Sequence, residues 1–84
     1  MVEKKVLVKT NLDARSAALF VQVAGKFEAS TKIALGNKYS NCKSMMGMIS
    51  LGIVEDKEVV ISAEGHDEEQ ALKDLCAFLE SEKH

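Results

Sequence analysis

The chain has 84 residues, with 11 basic and 13 acidic side chains for a formal net charge of −2, 46% hydrophobic residues and 29% charged ones. That length accommodates a single domain, residues 1–84, and the composition excludes a disordered tail, while the slight acidity argues against a surface built to coat nucleic acid directly. No apolar run approaches the roughly 20 residues of a membrane span, and the Lys-rich start lacks a signal peptide's apolar stretch, so a cytoplasmic location without membrane contact is expected.

Residues 2–9 (Val-Glu-Lys-Lys-Val-Leu-Val-Lys) are rich in β-branched side chains and alternate in part, with Val6 and Val8 on one face, which predicts a strand. An apolar series at helical spacing follows: Ala17, Phe20, Val21, Ala24 and Phe27. Asp13 or Asn11 just ahead of it is the expected N-cap, because a side-chain oxygen there accepts an otherwise unpaired first-turn amide. Arg15, Gln22 and Lys26 fall on another face of the same helix. Residues 30–35 and 38–42 flank Gly36-Asn37, a two-residue turn able to take positive φ, and so predict an antiparallel hairpin.

Ser44 to about Ile53 reads as a brief helix with Ser44 as N-cap, ending near Gly52. Its apolar residues Met45, Met46, Met48, Ile49, Leu51 and Ile53 outnumber what one face buries, so some are expected at the surface as adaptable partner contacts, against the plainer reading of a Met stripe as core. Glu58 to Ala63 is the strongest strand pattern, and Gly65-His66-Asp67 is a loop. In the final helix Glu68, Ala71, Leu72, Leu75, Cys76 and Leu79 trace a stripe, with Asp67, Glu68 and Glu69 at the positive end of the helix dipole. The order β-α-β-β-α-β-α predicts an α+β open-faced β-sandwich, a four-stranded antiparallel sheet covered on one face by three helices.

Two helix starts carry residues with chemical potential. Asp13 and Arg15 stand at the first, where free amides and the dipole favour anions; an acid and an arginine there suit phosphoryl handling, and equally suit an N-cap beside a surface arginine. Ser44 stands at the second, where a phosphate would add a dianion at the positive end of the helix. His66 lies in a loop without a nucleophile beside it and reads as a surface histidine, and His84 is terminal. Cys42 and Cys76 read as free thiols, and with the two histidines they show neither CxxC nor HxxxH spacing, so no metal or other cofactor is expected.

The runs Leu12-Asp13-Ala14-Arg15-Ser16-Ala17-Ala18-Leu19-Phe20-Val21-Gln22 and Asn41-Cys42-Lys43-Ser44-Met45-Met46-Gly47-Met48-Ile49-Ser50-Leu51-Gly52 resemble HPr, the histidine phosphocarrier family of the bacterial sugar phosphotransferase system. Ala63-Glu64-Gly65 and Asp67-Glu68-Glu69-Gln70-Ala71-Leu72 resemble that family's last strand, loop and helix, so the likeness runs along essentially the whole chain. The family's Leu-His-Ala-Arg-Pro signature stands here as Leu-Asp-Ala-Arg-Ser. The resemblance thus implies that Asp13 replaces the histidine that passes phosphate from enzyme I, that Arg15 is retained, and that the catalytic position is degenerate. An imidazole forms a phosphoramidate, whereas a carboxylate forms only an acyl phosphate.

The second signature, Lys43-Ser44-Met45-Met46-Gly47, resembles the regulatory serine region of HPr proteins from Gram-positive bacteria. It implies phosphorylation of Ser44 by an ATP-dependent HPr kinase/phosphorylase. Loss of the histidine with retention of the serine is similar to the Crh branch, a phosphoprotein corepressor for a LacI-type catabolite control regulator, although that branch usually carries glutamine at the first position. By the same resemblance Arg15, Ala18 and Gln22, with Met45, Met46 and Ile49, would form the partner-binding face. The implied function is regulation of sugar transport and carbon catabolite repression by a protein without catalysis of its own. A phosphocarrier using Asp13, served by enzyme I, and an interaction module in which Ser44 only caps a helix remain as alternatives. A monomer and a weak homodimer, including one with a swapped first strand, are both compatible with the sequence.

Overall fold

The computed structural model describes residues 1–81; His84 lies outside the described residues. Strand β1 (Val2–Leu7) leads to helix α1 (Ala14–Gly25), the hairpin of β2 (Ser30–Leu35) and β3 (Lys38–Asn41), helix α2 (Met45–Leu51), strand β4 (Glu58–Glu64) and helix α3 (Glu68–Glu80). The strands form one sheet in the order β1-β4-β2-β3, antiparallel throughout, so β1 and β3 are its edges.

Alternation in the strands sorts the two faces of the sheet. Val59, Ile61 and Ala63 of β4 are buried, and the register sets Val6 opposite Val59, Ile33 opposite Ile61 and Thr31 opposite Ala63, all on the side the helices cover. The other face is open, with Lys5, Val60, Ala34 and Tyr39 in one row across the four strands. The predicted open-faced sandwich is thus the architecture found.

Phe20, Ile33, Met48, Ile53, Ile61, Leu75 and Leu79 fill the main core, where burial of a large apolar side chain contributes about 1.5–3 kcal/mol. Phe20 of α1 meets Phe78 of α3 edge-on, with ring centroids 5.5 Å apart. A second cluster of Ala29, Ala63 and Ala71 uses small residues where α3 approaches the sheet, and Val2 and Phe27 pack against it.

Several boundaries differ from expectation. Phe27 is not on the stripe of α1: the helix ends at Gly25, and the amides of Lys26 and Phe27 turn to the carbonyls of Val23 and Ala24, tightening the last turn and sending the Phe27 ring to the second cluster. Strand β1 stops at Leu7, because the amide of Val8 donates to the Lys57 carbonyl and that of Lys9 to the Leu79 carbonyl at the end of α3. Cys42 follows β3 rather than ending it, and β4 runs one residue further, to Glu64.

Asp67 takes the N-cap position of α3 but makes no capping bond with its side chain. Its carboxylate accepts the amides of Glu28 and Ala29 instead, each at 2.9 Å. Glu68 turns back to accept the amide of Gly65 at 3.1 Å. Both cysteines are buried and unbridged. Among the described residues no helix is long and apolar enough to cross a membrane.

Candidate functional site

Helices α1 and α2 lie side by side with opposed directions, as the ties at their ends show. The amide of Leu12, just before α1, donates to the carbonyl of Ile53, just after α2, at 3.0 Å. At the other end Nζ of Lys43, just before α2, donates to the carbonyl of Phe27, just after α1, at 2.8 Å. A third tie, from the Glu55 amide to Asn11 Oδ1 at 2.9 Å, fixes the loop that carries Asp13. Asp13 and Arg15 therefore stand at one end of a two-helix face and Ser44 at the other.

Asp13 is extended (φ −72°, ψ −177°) and caps α1: Oδ1 accepts the Ser16 amide at 2.9 Å while its carbonyl accepts that of Ala17 at 2.8 Å. The hydrogen bond from the Ser16 amide, with smaller help from Arg15, holds its carboxyl below the ordinary carboxylate range, so it is an anion at neutral pH. The side chain stays exposed, as does that of Arg15. Of the two open readings at this position, the capping bond is present.

Ser44 is built by the turn before it. Asn41 Oδ1 accepts the Lys43 amide at 2.8 Å and the Asn41 carbonyl accepts the Ser44 amide at 3.0 Å. Ser44 then caps α2: its Oγ accepts the Gly47 amide at 3.1 Å and its carbonyl accepts that of Met48 at 3.0 Å. Gly47 has a packing reason to lack a side chain, since a Cβ there would overlap the Ser40 hydroxyl of β3. The helix closes on Gly52 in the left-handed region (φ 62°), whose amide donates to the Ile49 carbonyl at 3.1 Å.

The apolar residues of α2 divide as their number required. Met48 and Leu51 are buried, and so is Ile53 just after the helix, while Met46 is 78% exposed and Ile49 48%. Met45 packs against the core and offers only part of its surface. On α1, Arg15, Ala18 and Gln22 share one stripe at spacings of three and four; Arg15 and Gln22 are exposed and Ala18 is half-buried.

Sequence reasoning missed Val54, 42% exposed after the end of α2, because a residue outside any periodic element carries no face assignment. It also missed the tie from Lys43 to Phe27, since a lysine before a serine gives no sign of a carbonyl 16 residues away. His66 Nδ1 is 3.5 Å from an oxygen of the exposed Glu28. Among the described residues no three His, Cys, Asp or Glu side chains converge to hold a metal.

The model of the PTS HPr component phosphorylation site matches residues 2–81. The HPr-like protein Crh of Halalkalibacterium halodurans is 46% identical over 84 residues, covering 98% of this chain and all of that protein. Among solved structures, HPr from Thermoanaerobacter tengcongensis superposes with a TM-score of 0.91 at 46% identity, covering 98% of this chain and 94% of its own. Crh from Bacillus subtilis, a swapped dimer, gives a TM-score of 0.77 at 44% identity, covering 94% of this chain and 93% of its own.

Proposed function

The chain belongs to the HPr family of the bacterial phosphotransferase system, and on that footing we propose that it is a Crh-like regulatory member, switched by phosphorylation on Ser44 and acting by docking on larger proteins. The observation that carries this reading is Ser44 at the N-cap of α2, half-buried beside the exposed side chains of Met46 and Ile49.

The chemistry asks little of this chain. Ser44 Oγ takes part in the capping bond as acceptor, through a lone pair, so its own proton remains available to a base of the kinase. Oγ then attacks the γ-phosphorus of ATP; the new O–P bond forms as the bond to the ADP oxygen breaks. The resulting dianion sits at the positive end of α2, where a charge is favoured by about 0.3–1 kcal/mol, and the fold tolerates it. Partners of this reading are an HPr kinase/phosphorylase, and a LacI-type catabolite control regulator that takes the face of Arg15, Ala18, Gln22, Met45, Met46 and Ile49. Its setting is the cytoplasm.

Asp13 supports a second reading. Its carboxylate is exposed and ionised, as an acceptor of phosphate from enzyme I must be. The capping bond with Ser16 favours the first reading, in which Asp13 has kept only the structural half of the position's work. Tandem mass spectrometry after incubation with ATP and HPr kinase, and separately with phosphoenolpyruvate and enzyme I, decides between them. Phosphate on Ser44 from ATP alone is the expected result; a hydroxylamine-sensitive phosphate on Asp13 would return the chain to the carriers, and no phosphate at all would leave Ser44 as a cap.

A further inference from the structure

We propose that the Ser40 hydroxyl is a built-in partner for a phosphate on Ser44, donating its proton to a phosphoryl oxygen and so fixing the direction in which the dianion is presented. This rests on the reading of Ser44 as a phosphorylation site and adds a second residue to that site.

Ser40 stands in β3 where alternation asks for an apolar side chain. The register sets it opposite the buried Ile33, so it points to the helix-covered face, and it is the one residue of β3 that is not exposed. There it meets α2. A Cβ on Gly47 would overlap Ser40 Oγ and stand 3.2 Å from Ser44 Oγ, so the two hydroxyls flank the same point. They are no further apart than a phosphoryl group and one hydrogen bond can span. Ser44 Oγ is held in that place by the Gly47 amide at 3.1 Å.

The Ser40 proton is free to turn. In the unmodified chain it is donated to the neighbouring Asn41 carbonyl at 3.2 Å, longer than the roughly 2.7–2.8 Å usual between two oxygens. That carbonyl also accepts the Ser44 amide at 3.0 Å, so it keeps a partner when Ser40 turns away. A phosphoryl group offers three acceptor oxygens sharing nearly two negative charges, and a hydroxyl donates more strongly to such an oxygen than to a neutral carbonyl. The exchange replaces a long hydrogen bond by a charge-assisted one and leaves no group unpaired. The cation beside Ser44 in sequence is engaged elsewhere, because Lys43 Nζ donates to the Phe27 carbonyl at 2.8 Å. A phosphate held at one oxygen loses rotation about its ester bond, and a partner meets it already oriented.

The test uses the full chain with phosphoserine placed at position 44 by chemical synthesis, so that it depends on no kinase. Four proteins form a cycle: with and without the phosphate, each with Ser40 and with Ser40→Ala. In urea titration, Ser40→Ala should lower the folding equilibrium constant of the phosphorylated chain about three- to tenfold more than that of the unmodified chain. The second acidity constant of the phosphate, followed by its phosphorus NMR resonance, should be about two- to threefold larger with Ser40 than with Ser40→Ala. The substitution removes no charge, so both differences report the hydroxyl. A merely structural Ser40 affects both forms of the chain equally; that result, or a phosphate whose ionisation ignores Ser40→Ala, overturns the proposal. The two readings fail separately, since a kinase that leaves Ser44 unmodified removes the regulatory one without touching this cycle.

Discussion

The carboxylate of Asp67 accepts the backbone amide of Ala29 at 2.9 Å across 38 residues of sequence, and takes the Glu28 amide with its other oxygen at the same distance. One side chain thereby clips the turn between α1 and β2 to the loop between β4 and α3. The Glu28 amide is the main cause that holds the Asp67 carboxyl below its ordinary value of 3.8, with that of Ala29 adding to it. A depressed folded value means that this stabilisation is fully present above the ordinary value and is lost as pH falls through the folded one. Asp67→Asn, with a single acceptor oxygen for two amides, should lower the melting temperature by about 4–8 °C at pH 7. The difference from the parent protein should shrink in strong acid; thermal unfolding from pH 7 down to 2 checks both.

Gly65 makes that clip reachable. It holds φ +152°, and a Cβ there would lie 2.7 Å from the Ala29 Cα, a backbone atom that cannot swing aside. Gly65→Ala should destabilise by about 1–3 kcal/mol through this overlap and the strained backbone. Combined with Asp67→Asn it should cost less than the sum, because the second substitution removes a contact the first has already disturbed. Urea titration of the four proteins in the cycle measures this.

The two helix caps should respond differently to alanine and to their conservative replacements. Ser44→Ala removes the acceptor for the Gly47 amide and should cost about 1 kcal/mol, while Ser44→Asp keeps a capping oxygen and adds charge at the dipole's positive end, leaving stability nearly unchanged. Asp13→Asn should leave the melting temperature near that of the parent, since asparagine caps as well as aspartate, and Asp13→Ala should lower it. Differential scanning calorimetry at pH 7 separates the four variants.

Burial pushes the Cys42 thiol up to about 12 from an ordinary 9.0. The folded chain then keeps a proton that the unfolded chain releases, so stability should fall as pH rises across that interval. At pH 8 both thiols should resist an aromatic disulfide reagent until urea opens the protein, because Cys76 is also buried and its thiol is likewise raised by desolvation. Fast labelling of either cysteine in the native protein would contradict this.

Period and punctuation made most of the architecture legible. The hairpin at Gly36-Asn37, the Ser44 cap and the closing Gly52 depend on neighbours a few residues away, and they appear where local chemistry puts them. What stayed hidden is long-range. Asp67 reads from its surroundings as a charge at the positive end of a helix dipole, yet it binds amides 38 and 39 residues away in sequence, and Phe27 continues a helical spacing after the helix has stopped at Gly25. The surplus of apolar residues on α2 announced exposure, but only the packed structure says that Met46 and Ile49 are the ones left outside while Met48 goes in.

The ties at both ends of the α1–α2 pair, Leu12 to Ile53 and Lys43 to Phe27, brace a short helix that would be marginal alone. A phosphoryl group added at Ser44, as proposed above, would therefore arrive on an already formed helix start, and no helix would have to fold to receive it. Much of what it would add for a partner to recognise is charge, so the partner's discrimination should weaken with added salt as a screened charge does.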